Sequence, residues 1–210
     1  MVIEFLGVPG SGKSTVARAL RQRFERRGET VSTCFFTLPF PWQERMAVVA
    51  FLVIHPRFAF RLFARVRDFR SLVAAASVAR RERRRQTLAA TREIVIMDEG
   101  PTQGVCMLAI ANGKDPYGLM DHITEPDLLL VLHADSLKAS LRSHARTSGD
   151  NGHRYPQART AEELRSYAHH IDAVVSRSRS NVVHESSDDG VPALVTRLVT
   201  TIDQLRGEAS

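Results

Sequence analysis

The residues with the clearest chemistry lie near the amino terminus. Gly7-Val8-Pro9-Gly10-Ser11-Gly12-Lys13-Ser14 satisfies G-x-x-x-x-G-K-[ST], and Thr15 follows it. The motif stands directly after an apolar run, Val2 to Leu6, and before a stretch with helical spacing. In that context, small residues let a loop turn its backbone N–H groups inward around phosphate oxygens, and the following helix adds its positive end. Lys13 then reaches the β- and γ-phosphates of ATP, and the Ser14 hydroxyl is placed for the Mg²⁺ that bridges them. Gly7, Pro9, Gly10, Ser11, Gly12, Lys13, Ser14 and Thr15 are the expected phosphate-binding set.

A second group of candidates follows the apolar run Ile94 to Met97, which ends in Asp98-Glu99-Gly100. Ligands of an open parallel sheet bind at the carboxyl ends of its strands, so an acid there is suited to metal. Asp98 is the expected Mg²⁺-side acid, acting through water, and Ser14 and Asp98 form the metal pair. Glu99, one residue on, points elsewhere and is a candidate to accept a proton from an acceptor hydroxyl. A third group is Arg142 and Arg146, which share one helix face at i, i+4 after the cap-like Asp135-Ser136-Leu137. They lead into a Gly-containing loop, 147–160, that also carries Arg154 and Arg159. Arginines beside such a loop fit a lid over residues 142–160, which brings positive charge onto a migrating phosphoryl group and excludes water.

The elements that must hold these residues alternate along the chain. Val2 to Leu6, Val31 to Thr37, Ile94 to Met97, Leu128 to His133 and Asn181 to His184 read as buried strands. Thr15 to Arg27, Arg57 to Val73, Leu137 to Arg146 and Ala161 to Arg177 read as helices. The expected fold is α/β, a five-stranded parallel sheet covered on both faces, in one domain of 210 residues. Residues 39–93 exceed a simple crossover and read as a helical insert that shapes an acceptor site.

In order, a glycine-rich loop, a long helical insert, a strand ending in acid and Glu125-Pro126-Asp127-Leu128-Leu129-Leu130-Val131-Leu132 leading into R-x-x-x-R resemble the P-loop nucleoside and nucleotide monophosphate kinases, thymidylate and deoxynucleoside kinases included. The resemblance implies ATP bound at residues 7–15, Mg²⁺, a small-molecule acceptor held by the insert, Arg142 and Arg146 in the lid, and the segment Ser186 to Asp189 near the adenine. The acceptor side departs from that pattern. Thr37-Leu38-Pro39-Phe40-Pro41 lacks the acid beside proline, the first acid being Glu44, and Asp98 is followed by Glu99 where the resembling families carry Arg. The reading is therefore an ATP-dependent kinase with a nucleoside- or nucleotide-like acceptor. An antibiotic or other natural product, a polynucleotide, or no acceptor at all in a P-loop ATPase are the alternatives, Gln103 being the one nearby residue suited to orient water in the last.

Composition adds a constraint. Hydrophobic residues make up 43% and charged residues 25%, which excludes collagen-like, disordered and disulfide-framework chains. The net charge is +6, yet residues 57 to 92 carry eleven Arg against Asp68 and Glu82, so the rest of the chain is slightly acidic. Arg57, Arg61 and Arg65 repeat at helical spacing opposite Phe58, Leu62, Phe63, Val66 and Phe69. The commonest fate of Arg80-Arg81-Glu82-Arg83-Arg84-Arg85 is a solvated face; recognition of an anionic acceptor comes second, and a polynucleotide or membrane surface third. Cys34 and Cys106, without C-x-x-C spacing, read as buried reduced thiols of a cytoplasmic protein. No leader and no apolar run long enough to span a bilayer is expected, since Met46 to Ile54 ends at His55-Pro56. A homodimer is compatible with the sequence, which leaves the oligomeric state open.

Overall fold

In a computed structural model, the structure describes residues 1–34, 42–90, 93–112, 117–147 and 160–208, leaving aside the side chains at 112, 143–147 and 208. Five strands, β1 (Val2–Gly7), β2 (Val31–Cys34), β3 (Ile94–Met97), β4 (Leu128–His133) and β5 (Asn181–Ser186), form one sheet in the order β2-β3-β1-β4-β5. Every pairing is parallel. The strands are near-continuous apolar runs because helices cover both faces of the sheet. Along β1, Ile3 and Phe5 face one layer while Leu6 faces the other, as the two-residue period requires.

The first layer is α1 (Lys13–Arg26) with α8 (Val191–Glu208), packed through Val16, Leu20, Phe24, Leu194, Leu198 and Ile202. The second contains α4 (Phe69–Ala89), α5 (Pro101–Asn112) and α7 (Ala161–Val175), with Val78, Val105, Leu108, Leu164, Ile171 and Val174 in its core. Gly104 permits the close approach of α4 and α5: a Cβ there would sit 3.0 Å from a Val78 methyl. Cys34 and Cys106 are free and buried.

Between β2 and β3 the chain forms three helices, α2 (Trp42–Ile54), α3 (Pro56–Phe63) and α4. The continuous helix expected from Arg57 to Val73 is two. Asp68 adopts extended backbone, its carboxylate accepts from the Ser71 N–H, and the Ser71 hydroxyl accepts from the Asp68 N–H, so a capping box starts a new helix. The apolar face expected there divides with it. Phe58 and Leu62 are buried, whereas Phe63 and Phe69 are exposed. The strand expected to reach Thr37 is described to Cys34, and the segment 37–41 lies outside the described residues.

Candidate active site

β1 and β3 are neighbours with Glu4 opposite Met97, so the loop after Gly7 and the acids after Met97 emerge side by side at the carboxyl edge. This register places the first two candidate groups together. Gly10 and Gly12 have φ of 85° and 91°, a region that L side chains rarely adopt. A Cβ on Gly10 would lie 2.3 Å from the Ala139 carbonyl of α6 (Ser136–Thr147), so that helix rests against the loop. At Gly12 a Cβ would meet nothing within 4 Å, and no side chain caps α1. An uncapped helix start beside open space is a cradle for an anion.

The side chains support that description. Lys13 is 6% exposed, and its Nζ donates to the carbonyls of Gly7 (2.7 Å) and Val8 (3.1 Å), closing the loop on itself. Ser11 is buried, and its Oγ has no hydrogen-bond partner among the described residues, an unsatisfied hydroxyl facing the same loop. Ser14 Oγ donates to Asp98 Oδ2 at 2.7 Å. A hydroxyl and a buried carboxylate 84 residues apart thus meet beside the glycine-rich loop. Oxygen donors of this kind suit Mg²⁺. Pro9 is half-buried and Thr15 exposed on the first turn of α1.

Glu99 diverges from Asp98, toward α4, where Arg81 Nη2 donates to its Oε2 at 3.0 Å. This contact belongs to a larger arrangement that overturns the expected solvated face. Arg80, Arg81 and Arg85 are buried, with Glu82 among them. Arg80 and Arg84 both pair with Glu44 of α2, Arg84 Nη1 also donates to Cys34 Sγ (3.3 Å), and Arg85 pairs with the fully buried Glu4 of β1. Glu4 accepts in addition from Thr102 Oγ1 (2.9 Å) and the Gln103 N–H (3.2 Å). Gly100 accommodates that carboxylate, since a Cβ there would fall 2.2 Å from Glu4 Cδ. Burial draws the Arg85 guanidinium down to about 9.

Glu4 and Glu44, which compensate these arginines, are acids that the motif reading did not single out as site residues. The signal for Glu4 was present: it is the one charged residue in an apolar strand. Gln103 is not poised toward water. It accepts from the Gly7 N–H (3.2 Å) and donates to Tyr167 Oη, bracing the start of the loop against α7.

Asp135 caps α6, accepting from the Leu137 and Lys138 N–H groups at 3.0 and 2.9 Å. One turn on, Arg142 extends back to the loop, 3.5 Å from the Gly10 carbonyl and 3.9 Å from Asp188. Lys138 lies 3.3 Å from Asp188. The segment Ser186 to Asp189 is therefore tied to α6 close to the phosphate loop. The Arg146 side chain, Arg154, Arg159 and residues 148–159 of the expected lid lie outside the described residues.

No protein-family model matches the chain, and no curated protein matches it in sequence. Solved structures do. Deoxyadenosine kinase from M. mycoides with bound dCTP is similar over 97% of this chain and 100% of its own, with a TM-score of 0.58 at 11% identity. The same enzyme with bound dATP gives a TM-score of 0.58 at 10% identity over the same shares. What is shared is the fold. It consists of five parallel strands with helices on both faces, as the sequence led us to expect. Among the described residues no single helix is long and apolar enough to cross a membrane.

Proposed function

We propose that the protein is an ATP-dependent small-molecule kinase whose acceptor is a nucleoside or nucleoside-like alcohol. The observation that carries this reading is the Ser14–Asp98 hydrogen bond beside the cradle of Gly10, Gly12 and Lys13. A loop that only turned the chain would need neither a buried lysine nor a carboxylate from the end of β3 aimed at its serine.

Ser14 and Asp98 would hold Mg²⁺, directly or through water, and the ion supplies charge neutralisation on the phosphates. The chain's own groups do the rest. Loop N–H groups and the Ser11 hydroxyl position the phosphate oxygens, and Lys13 exchanges its carbonyl partners for them. Arg142 supplies positive charge from the α6 side, and Arg146 is assigned to the same task from one turn further on. Glu99 accepts the acceptor hydroxyl's proton, held in place by Arg81. The resembling kinases carry an arginine after the strand-end aspartate; in this chain Arg81 brings a guanidinium to that neighbourhood from α4. The kinship in fold with deoxyadenosine kinase supports a nucleoside as acceptor.

Incubation with MgATP and a panel of nucleosides, deoxynucleosides, nucleotides and hydroxylated natural products, with mass detection of the phosphorylated product, tests the assignment. A nucleoside adduct is expected. Product on a natural-product hydroxyl alone would move the acceptor class, and ADP without any adduct would contradict the kinase reading.

A further inference from the structure

The segment that leads into α4 carries an excess of positive charge. Residues 42–73 contain six arginines, Arg45, Arg57, Arg61, Arg65, Arg67 and Arg70, against Glu44 and Asp68. Glu44 is engaged with Arg80 and Arg84. The same segment carries most of the exposed large apolar side chains.

Their placement is ordered. On α2, Val48 and Phe51 are buried, while Trp42 (69% exposed), Met46, Val49 and Val53 (73%) recur every three or four residues on the opposite side. A helix apolar on both its buried and its outer side calls for a second apolar neighbour. α3 repeats the pattern: Phe58 and Leu62 face inward, Phe60 (75% exposed) stands opposite them, and Arg57 and Arg61 flank it. The two helices meet at His55 with a bend of 106°, which brings Val53 and Ile54 to the corner of an elbow. Isolated exposed apolar residues need no explanation, but a stripe on each of two successive helices, edged with arginine, does.

We infer that the α2–α3 elbow docks on an anionic lipid bilayer surface, with the apolar stripes at the acyl boundary and the arginines among the headgroups. Aromatic and aliphatic side chains interleaved with cations are what an interfacial helix presents. Charge favours this occupant over a second copy, because a two-fold contact brings together two copies of a segment with six arginines against two acids, whereas an anionic bilayer supplies the counter-charge. Trp42 and Phe60 offer rings to a base, but Met46, Val49, Val53 and Ile54, the larger part of the stripes, offer none, and acyl chains accept all six.

Trp42 is the only tryptophan, so its fluorescence reports on the stripe directly. The full chain is titrated with vesicles of phosphatidylcholine plus phosphatidylserine, and with phosphatidylcholine alone. Binding to the anionic vesicles is expected, with a blue shift of Trp42 emission and quenching by brominated acyl chains. Val53→Ser combined with Phe60→Ser should abolish the quenching. Arg57→Gln and Arg61→Gln should each weaken binding about fivefold while leaving far-ultraviolet circular dichroism and the melting temperature unchanged. Equal binding to neutral vesicles, or no spectral change with either, would overturn the inference. So would a blue shift that grows with protein concentration in the absence of lipid, or one produced by single-stranded DNA and not by vesicles.

Discussion

Lys13 is a charged group held almost entirely out of water by two carbonyls of its own loop. Such a cation is costly to bury unless it is compensated, and these two carbonyls are neutral dipoles. A triphosphate offers stronger compensation in the same place. Lys13→Ala is therefore expected to lower phosphoryl transfer about a hundredfold or more, read as kcat in a coupled assay, with the fold retained. The glycine-rich loop, Lys13 and the placement of Ser14 near Asp98 were legible in the sequence because each depends on local spacing or on one strand end. The partner of Glu99 was not. Arg81 lies on α4, which packs against α5 where Val78 meets Gly104, and no local pattern encodes that distance.

Among the elements, α4 links α2 to the sheet through Arg80–Glu44 and Arg85–Glu4. Its small residues, Ala74, Ala75, Val78 and Ala79, let it approach α5, and its arginines then enter the interior. Sequence reasoning read the run from Arg80 to Arg85 as a surface because runs of charge usually are. Its partners Glu4, Glu44 and Glu99 come from three separate segments, so the compensation exists only after folding. Arg85→Met should cost about 3–5 kcal/mol in urea unfolding, since it leaves the Glu4 carboxylate buried with only Thr102 and the Gln103 N–H. Glu4→Leu combined with Arg85→Met should recover most of that loss. A single variant within about 1 kcal/mol of the parent would show that the pair does not anchor the helix. The break before α4 was missed for a related reason: Asp68 and Ser71 form a capping box inside what reads as one amphipathic period.

For the whole molecule, the distribution of charge determines how stability responds to pH. Glu82 is buried beside Thr124, and burial raises its carboxyl above the ordinary 4.5 despite donation from the Thr124 N–H, the Thr124 hydroxyl and Gln86. A raised folded value means that the native state holds this proton more tightly than the unfolded chain does. The resulting stabilisation is fully present below 4.5 and is lost as pH rises through the folded value. Glu82→Gln keeps an amide oxygen for the same donors and removes the titration. Its melting temperature should equal or exceed the parent's near neutrality, with the advantage shrinking as pH falls from neutrality toward 4.5. A loss of stability across that whole range would contradict the assignment. The overall α/β architecture was readable from the alternation of apolar runs and helical spacing. How its basic charge divides was not, since the same eleven arginines of residues 57–92 include buried ion pairs and an exposed elbow.

The central claim is that Ser14 and Asp98 act together at a phosphoryl-transfer site. Side-by-side Mg²⁺ titrations of the parent, Ser14→Ala and Asp98→Asn, read as phosphorylated acceptor formed per ATP consumed, test it most directly. Both variants are expected to lose turnover by about two orders of magnitude or more, and the double variant to fall little further, since the two groups serve one ion. Parent-like turnover in Asp98→Asn, or fully additive losses in the double variant, would contradict it.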